Sequence, residues 1–170
     1  MTGDDGFREF VEVRYGDLMR TAFLLTGSMH SAEDLVQTVL LKAYRGWETI
    51  DEPFPYLRRA MVNQHISLWR RIGSRELITG FPPERTTPDV SAAFAQRAEL
   101  LDALARLPKR MRAVLVLRYW EDLSEADTAA ILGCSTGSVK AQASRGLARL
   151  RGILQSEAAT RAGRVAEGMA

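Results

Sequence analysis

Apolar residues recur at helical spacing along most of this chain, and strand-favouring runs are scarce. A residue on one face of an α-helix meets its neighbours three and four positions later, because each turn takes 3.6 residues. The first such pattern runs through Phe7, Phe10, Val11, Tyr15, Leu18, Ala22 and Leu25. With 46% apolar residues the chain has enough material for packed cores. We therefore predict an all-α fold.

The helical pattern is interrupted once over a long stretch, GSRELITGFPPERTTPDVSA at residues 73–92. Proline, glycine, serine and threonine concentrate there, and no continuous apolar face crosses it. The sequence predicts two small helical domains, 5–72 and 96–154, joined by a flexible linker at 73–95. Residues 155–170 are small and polar, so we expect this tail to fray.

Capping residues predict where several helices begin and end. Gly27 is a plausible stop for the first helix, and Ser31 with Asp34 resembles a capping box for the second, which should run to about Trp47. Pro55 suits the start of a third helix that ends near Ile72. Ser124, with an acid three positions on, and Ser135 are the expected caps of the last two helices.

Charge is distributed unevenly although the formal net charge is only +2. Residues 53–75 hold five arginines and no acid, and residues 137–151 hold one lysine, three arginines and no acid. The first 52 residues hold ten acids against five basic residues. Two basic islands indicate two surfaces for a polyanion, and the acidic end indicates a third surface with another use.

Several classes of function lack the residues that they require. A single cysteine, Cys134, excludes an internal disulfide, and with only His30 and His65 beside it we expect no zinc site. No phosphate-cradling glycine loop or Ser-His-Asp set is recognisable, so we expect no cofactor and no enzymatic activity. No apolar run approaches 18 residues and the N-terminus is acidic, so we predict a cytoplasmic protein without membrane insertion.

Residues 124–153 have the dimensions of a helix-turn-helix, with Ser124–Leu132, a turn at 133–135 and a second helix from 136. At 100° per residue Val139, Ala143, Leu147, Leu150 and Leu154 share one face of that helix. The opposite face is small, polar and basic, as close approach to DNA requires. Its members are Ser138, Lys140, Ala141, Ser144, Arg145 and Ala148. A solvated basic helix without a ligand is the alternative interpretation.

The second helix, SAEDLVQTVLLKAYRGW at 31–47, has two distinct faces. Its predicted buried face is Leu35, Val36, Val39, Leu40, Ala43 and Trp47. The outer stripe consists of Asp34, Gln37, Thr38, Leu41 and Arg45, spaced as a docking face is. Leu41 is unusual on a face that meets only water, although a single exposed leucine is ordinary.

The third helix is predicted to pack through Leu57, Met61, His65, Leu68 and Ile72. Arg59, Asn63, Ile66 and Arg70 lie opposite. A carboxamide between two arginines suits a nucleic-acid strand that is held by its phosphates while one base is hydrogen-bonded. Asn63 is equally well explained as a surface amide. For Tyr56, core packing is the preferred interpretation over base stacking.

The chain resembles a bacterial RNA polymerase sigma factor of the extracytoplasmic-function group, over about 7–154. SAEDLVQTVLLKAYRGW is similar to the core-binding helix of the sigma-2 domain. LPKRMRAVLVLRYWEDLSEADTAAILGCSTGSVKAQASRGLARLR, at 107–151, is similar to the sigma-4 domain. Within this group, the chain most resembles the actinobacterial SigE-type subset, on the segments RGWETI, YLRRAMVN and LRYWEDLS.

This resemblance implies a function in transcription initiation without catalysis. Asp34, Gln37, Thr38 and Leu41 would dock on the clamp helices of core RNA polymerase. The third helix and its preceding loop, 48–72, would take flipped-out bases of the −10 promoter element. The sigma-4 domain would bind the polymerase flap and place the 136–153 helix in the −35 major groove. The expected DNA-binding residues are Arg59, Asn63, Arg70, Arg71, Ser138, Lys140, Ala141, Ser144 and Arg145.

The linker is long enough for this arrangement. The two promoter elements of the family lie about one and a half helical turns apart, which is roughly 50 Å. The 73–92 stretch, at about 3.3 Å per residue, extends to roughly 66 Å.

Two questions stay open at this level. A dimeric helix-turn-helix regulator with a LuxR-like output domain at 107–151 is the alternative function, and it predicts duplex binding without polymerase. Sigma factors of this kind are commonly held by an anti-sigma protein or controlled through their own transcription. The sequence does not choose between these two forms of control.

Overall fold

The computed structural model describes residues 3–72 and 92–168, and within these ranges it contains helices and no strand. The all-α prediction is confirmed. The helices are α1 (Gly3–Thr26), α2 (Met29–Tyr44), α3 (Pro53–Ile72), α4 (Ala92–Ala105), α5 (Lys109–Leu115), α6 (Glu125–Leu132) and α7 (Thr136–Gly168). A 3₁₀ turn at Trp47–Thr49 follows α2, and a π-helical turn at Val116–Trp120 continues α5.

The ends of α1 and α2 show which capping predictions hold. Gly27 has φ +77°, a left-handed conformation that ends α1 as predicted. The predicted start of α2 at Ser31 is wrong, because Ser28 is the N-cap. Ser28 has an extended backbone, and its side chain accepts the Ser31 N–H at 3.1 Å. Both residues are serines, and backbone conformation decides which of them caps the helix.

The first core lies among α1, α2 and α3. Its buried members are Leu18, Ala22, Ala32, Leu35, Val36, Val39, Leu40, Ala43, Leu57 and Met61. The predicted inner face of α2 is therefore confirmed, with Trp47 packed at the edge of the same cluster. This core fixes which face of α2 remains outside.

A second core joins the two halves of the chain. Leu25 of α1 and Val62 of α3 are buried together with Ala113, Val114, Val116, Leu117, Ala129, Leu132, Val139 and Ala143 of the C-terminal half. Ile66, which the helical pattern assigned to the outer face of α3, packs against this cluster. The two predicted domains are thus in direct contact along a seam that α1 and α3 share with α5 and α6.

The C-terminal boundary differs from the prediction. Instead of fraying after residue 155, α7 continues to Gly168. Glu157 pairs with Arg106 at 2.8 Å, and Arg161 pairs with Glu99 of α4. These contacts tie the helical extension to α4, which a local reading of small polar residues could not anticipate. The linker prediction falls mostly on 73–91, outside the described residues, but residues 92–95 already belong to α4.

None of the helices in these two described ranges combines the length and the apolar character needed to cross a bilayer.

Candidate nucleic-acid and polymerase interfaces

The α6–turn–α7 segment has the geometry of a helix-turn-helix. Ser124 accepts the Asp127 N–H at 3.0 Å and donates to the Asp127 carboxylate at 2.6 Å, so α6 starts at the predicted cap. Gly133 adopts φ +63° and turns the chain, a conformation that costs glycine little. Ser135 then accepts the Ser138 N–H at 3.1 Å and caps α7.

The inner face of α7 holds the helix against the C-terminal core. Val139 and Ala143 are buried. A Cβ on Gly146 would lie 3.3 Å from the side chain of Leu115, so only glycine permits this close approach without a shift. The first turns of α7 are therefore fixed in orientation, with the opposite face directed outward.

That outward face carries the residues predicted to read DNA. Ser138, Lys140, Ser144 and Arg145 are exposed, and Ala141 is half-buried. The Ser138 hydroxyl lies 3.0 Å from the Ser135 hydroxyl, so it also takes part in the cap. The small side chains leave room beside the two cations, and an exposed face of this composition is suited to a major groove.

The structure adds a carboxylate to this face that the sequence analysis did not identify. Glu125, in the first turn of α6, approaches the Lys140 ammonium at 3.7 Å. The two residues lie on different helices, so no local pattern brings them together. Glu125 lowers the positive charge at the start of α7.

The outer stripe of α2 is exposed, as its predicted function requires. Asp34, Gln37 and Leu41 face solvent, and Thr38 is half-buried. Leu41 is 69% exposed, so its apolar side chain is available to a partner. The Asp34 carboxylate lies 3.6 Å from the His30 imidazole one turn earlier. The stripe therefore combines one carboxylate, an amide and an apolar side chain.

The α3 helix presents only part of the predicted set in the described structure. Arg59 and Asn63 are exposed on the same side of the helix. The backbone of Arg70 and Arg71 belongs to α3, but their side chains lie outside the described part of the structure. Asn63 and Arg59 are therefore the two residues whose exposure is established.

A cavity of about 290 Å³ opens beside α3, where α2 ends. Its lining comes from the last turns of α2, the 3₁₀ turn, the following loop and the first turn of α3. Tyr56 lines it and is 46% exposed, so the preferred core-packing role for this residue is wrong. Lys42 also lines it, and its ammonium donates to the Gln64 side chain next to Asn63. Sequence reasoning missed Lys42 because it lies on a different helix.

The seam between the halves contains charged groups that are largely withdrawn from water. The Glu121 carboxylate, with its side chain 7% exposed, accepts from the Thr21 hydroxyl and pairs with Arg58 at 2.9 Å. Arg112 is buried, and burial lowers its pKa to about 10. Its guanidinium donates to the carbonyl oxygens of Leu25 at 3.1 Å, of Leu107 at 3.3 Å and of Ala105.

His65 lies in the same seam as a partly buried imidazole. Its Nε2 atom has no hydrogen-bond partner. Burial, and then the positive charges of Lys109 and Arg112, lower the pKa of His65 to about 4. The imidazole is therefore neutral near pH 7. Among the described residues, no group of three or more His, Cys, Asp or Glu side chains is placed to hold a metal ion.

These features define a helical protein with a helix-turn-helix in its C-terminal half and a second helical unit before it. Comparison with known families gives the same division. Residues 10–75 match Sigma-70 region 2, and residues 97–150 match Sigma-70, region 4.

Named relatives extend over most of the chain. The RNA polymerase sigma-E factor of Streptomyces coelicolor is 42% identical over 148 residues, which is 85% of this chain and 84% of that protein. The ECF RNA polymerase sigma factor SigL of Mycobacterium tuberculosis is 34% identical over 154 residues, covering 85% and 86%. The chain belongs to the extracytoplasmic-function group of sigma-70 RNA polymerase sigma factors.

A solved structure shares the fold. The sigma factor RpoE from Bartonella quintana, in complex with the anti-sigma factor NepR, aligns with a TM-score of 0.64 and 25% identity. The alignment covers 88% of this chain and 97% of that one. A match to region 2 over the N-terminal half favours a sigma factor over the LuxR-like regulator considered above.

Proposed function

We propose that this sigma factor binds core RNA polymerase through the outer stripe of α2 and reads the two promoter elements through α3 and α7. It acts by binding alone, as a dissociable specificity subunit rather than an enzyme, and we place it in the cytoplasm with the polymerase. The observation that carries the proposal is the order of the two sigma-70 regions in one chain, each with an exposed face at the expected helix.

The proposed polymerase contact consists of Asp34, Gln37, Thr38 and Leu41. Leu41 supplies apolar area that a partner helix would bury, at about 25 cal/mol per Å². Asp34 supplies a charge whose reversal should repel the clamp helices while leaving the buried face of α2 untouched. Because the stripe is exposed and the core lies opposite, binding and folding can be tested separately.

The proposed −10 contact is the exposed side of α3 together with the neighbouring cavity. Arg59 would hold phosphate, with Arg70 and Arg71 assigned the same role from the sequence, and Asn63 would hydrogen-bond a flipped base. The cavity lined by Lys42 and Tyr56 lies beside this face and offers an aromatic ring and a cation to an unstacked base. Unstacking costs a few kcal/mol per base step, and these contacts offset it.

The proposed −35 contact is the outward face of α7. Lys140 and Arg145 supply donors for guanine or phosphate, and Ser138, Ala141 and Ser144 allow close approach to the bases. The α7 N-terminus adds backbone N–H groups directed at a phosphate. Arg145→Ala should cost roughly 1–3 kcal/mol at one −35 position if the residue reads a base. An equal loss on every sequence would assign it to phosphate.

An anti-sigma protein is the form of control that the comparisons favour. The RpoE protein of Bartonella quintana is bound to NepR in its solved structure, and it shares the fold of this chain over 88% of its length. We extend to the present chain an interaction with a protein of that class. Co-purification from the native cell, followed by identification of the bound protein, tests this extension.

Gel filtration with core polymerase tests the central proposal. Wild type should co-elute with core, and Asp34→Arg should elute alone while keeping the helical circular dichroism of wild type. Glu33→Arg is the matched control, because this neighbour is also exposed on α2 but lies outside the stripe. Loss of binding in both variants would indicate a general charge effect, and unchanged binding of Asp34→Arg would remove this face as the contact.

Promoter opening gives the second test. Polymerase with Asn63→Ala should retain core binding but lose opening of the −10 element, measured by the permanganate reactivity of unpaired thymines. The same loss with Gln155→Ala, an exposed α7 residue outside both proposed DNA contacts, would argue against a specific role for Asn63.

A further inference from the structure

The ion pair between Glu125 and Lys140 lies at the edge of the proposed −35 contact. Lys140 belongs to the outward face of α7, and Glu125 lies in the first turn of α6. The Glu125 carboxylate is 3.7 Å from the Lys140 ammonium, with the Glu125 side chain 35% exposed and the Lys140 side chain 69% exposed. A negative charge at a surface that approaches a polyanion opposes binding. Glu125 therefore weakens the α7 contact unless the DNA donates a hydrogen bond to it.

Packing directs the Glu125 side chain toward α7. At 100° per residue Glu125 shares one face of α6 with Ala129, which is buried in the C-terminal core. On α7, the residues Val139 and Ala143 on either side of Lys140 are buried in the same core. Because both helices are held by these contacts, the backbone positions from which the carboxylate and the ammonium extend are fixed relative to each other.

The second acid in the first turn of α6 has a different role. The Asp127 carboxylate accepts from the Ser124 hydroxyl at 2.6 Å, and the Asp127 N–H donates to the same hydroxyl at 3.0 Å. The cap of α6 is complete without Glu125, and a partly exposed ion pair contributes little to stability. Of these two carboxylates, that of Glu125 is the one directed at the DNA-reading helix.

The distance between the two charged groups leaves both able to bind a ligand. At 3.7 Å it exceeds the length of an N–H···O hydrogen bond, which is about 2.7–3.2 Å. An ammonium has three N–H donors, and a carboxylate has only acceptors. The pair therefore presents one acceptor and one donor side by side at the edge of the surface that would enter the major groove.

A base pair presents the complementary arrangement in the major groove. Cytosine and adenine each present an amino donor there, and guanine and thymine each present a carbonyl acceptor. Within one base pair the amino group donates to the carbonyl of the partner base, so the two groups lie about 2.9–3.0 Å apart. This spacing is close to that of the charged groups of Glu125 and Lys140. The amino group would meet the carboxylate, and the carbonyl would meet the ammonium.

We propose that Glu125 and Lys140 together read the orientation of one −35 base pair, with the amino base, cytosine or adenine, on the side of Glu125. This inference rests on the proposed function of α7 as the −35 contact. Reversing the base pair places an amino group against the ammonium and a carbonyl against the carboxylate, so that two donors and two acceptors face each other. With the first base nearer Glu125, the pair accepts C·G and A·T and rejects G·C and T·A.

The base preference of the holoenzyme tests this inference. Core polymerase with the full wild-type chain first selects duplexes from a randomised pool of promoter length, and the selected duplex is then remade with all four base pairs at each −35 position. At one position wild type should bind the favoured orientation about 10-fold more tightly than the reverse. Glu125→Gln should lose this preference alone, because a carboxamide donates as well as accepts. Glu157→Gln makes the same charge change several helical turns from Lys140 and should keep the preference.

Exchange of the two charges provides a second variant. Glu125→Lys combined with Lys140→Glu keeps an ion pair and should invert the preference at the same position. Circular dichroism checks that this double variant is folded, and if it is not, Glu125→Gln decides the question alone.

The contrary results separate this inference from the proposed function. An unchanged preference in Glu125→Gln, or in the folded double variant, would overturn the reading of orientation. A change in Glu125→Gln that is equal on every duplex would also overturn it, because that pattern assigns Lys140 to a phosphate. Wild-type preferences elsewhere in the −35 element, with none for orientation, would overturn this inference alone. No preference at any −35 position would overturn the proposed α7 contact as well.

Discussion

Arg112 offers a quantitative test of how this fold is held together. It is 6% exposed and lies on α5, where it donates to carbonyl oxygens at the ends of two other segments. Leu25 lies in the last turn of α1, and Ala105 is the last residue of α4. Carbonyls in the last turn of a helix have no partner within the helix. A single guanidinium therefore caps two helix C-termini, and its positive charge is also favourable there.

The expected effect of Arg112→Met follows from two opposing terms. Burial lowers the pKa of Arg112 to about 10, and at about 1.4 kcal/mol per pKa unit this opposes the charged form by a few kcal/mol. Three hydrogen bonds from a charged donor contribute about 1.5–3 kcal/mol each. The hydrogen bonds together outweigh the cost of burying the charge. Methionine would also leave the carbonyls of Leu25, Ala105 and Leu107 without this donor. We expect the free energy of unfolding to fall by about 3 kcal/mol.

Urea denaturation of the full chain measures this change. Arg112→Lys should fall between wild type and Arg112→Met, because an ammonium keeps the charge but lacks the planar fork that reaches several carbonyls. Arg149→Met is the control, since Arg149 is exposed on α7. It should change stability by less than about 0.5 kcal/mol. A change of that small size in Arg112→Met would refute the capping role.

Three further changes test separate features. Because the pKa of His65 is lowered from 6.5 to about 4, the unfolded chain binds the extra proton first as pH falls. Wild type should therefore lose up to about 3 kcal/mol more stability than His65→Gln between pH 7 and 4 in urea titrations. Asp122→Gly should lie within about 1 kcal/mol of wild type, whereas Asp122→Val should lose about 2 kcal/mol, because a branched side chain opposes φ +51°. Glu125→Gln should free Lys140 from its ion pair. Binding of the −35 element by holoenzyme should then depend more steeply on salt, and the slope of log K against log salt concentration should change by up to about 0.9.

Each of these expectations has a result that contradicts it. Parallel pH curves for wild type and His65→Gln would show that protonation of this imidazole is not coupled to unfolding. Equal stabilities of the glycine and valine variants would mean that residue 122 is free to leave the left-handed region. An unchanged salt slope in Glu125→Gln, equal to that of the distant control Glu157→Gln, would separate Glu125 from DNA binding.

The sequence predicted most of what is local in this protein. Helical periodicity predicted the inner face of α2, and Ser124, Gly133 and Ser135 predicted the helix-turn-helix. Capping and periodicity depend on residues within one turn of each other, so they can be read from neighbours in the chain. The exposure of Asp34, Lys140 and Arg145 followed from the same patterns.

Predictions were wrong where a residue contacts a partner that is distant in sequence, or where two neighbouring residues could equally well cap the same helix. The frayed tail was wrong because Glu157 pairs with Arg106, directly after α4, and Arg161 pairs with Glu99 of α4. Ile66 was assigned to the outer face of α3 because the pattern could not anticipate a second core contributed by the other half. Ser28, and not Ser31, is the N-cap of α2, because Ser28 has the extended backbone that a cap requires.

Sequence alone thus determined the all-α class, the inner face of α2, the helix-turn-helix and the family, because each depends on the order and spacing of side chains. Only the tertiary structure determined the seam between the halves. Glu121 and Thr21 are far apart along the chain, as are Arg112 and Leu25, and burial gives their contacts a weight that exposed pairs lack. Whether such groups meet depends on how the helices pack, and that packing brings the two halves of the chain into direct contact.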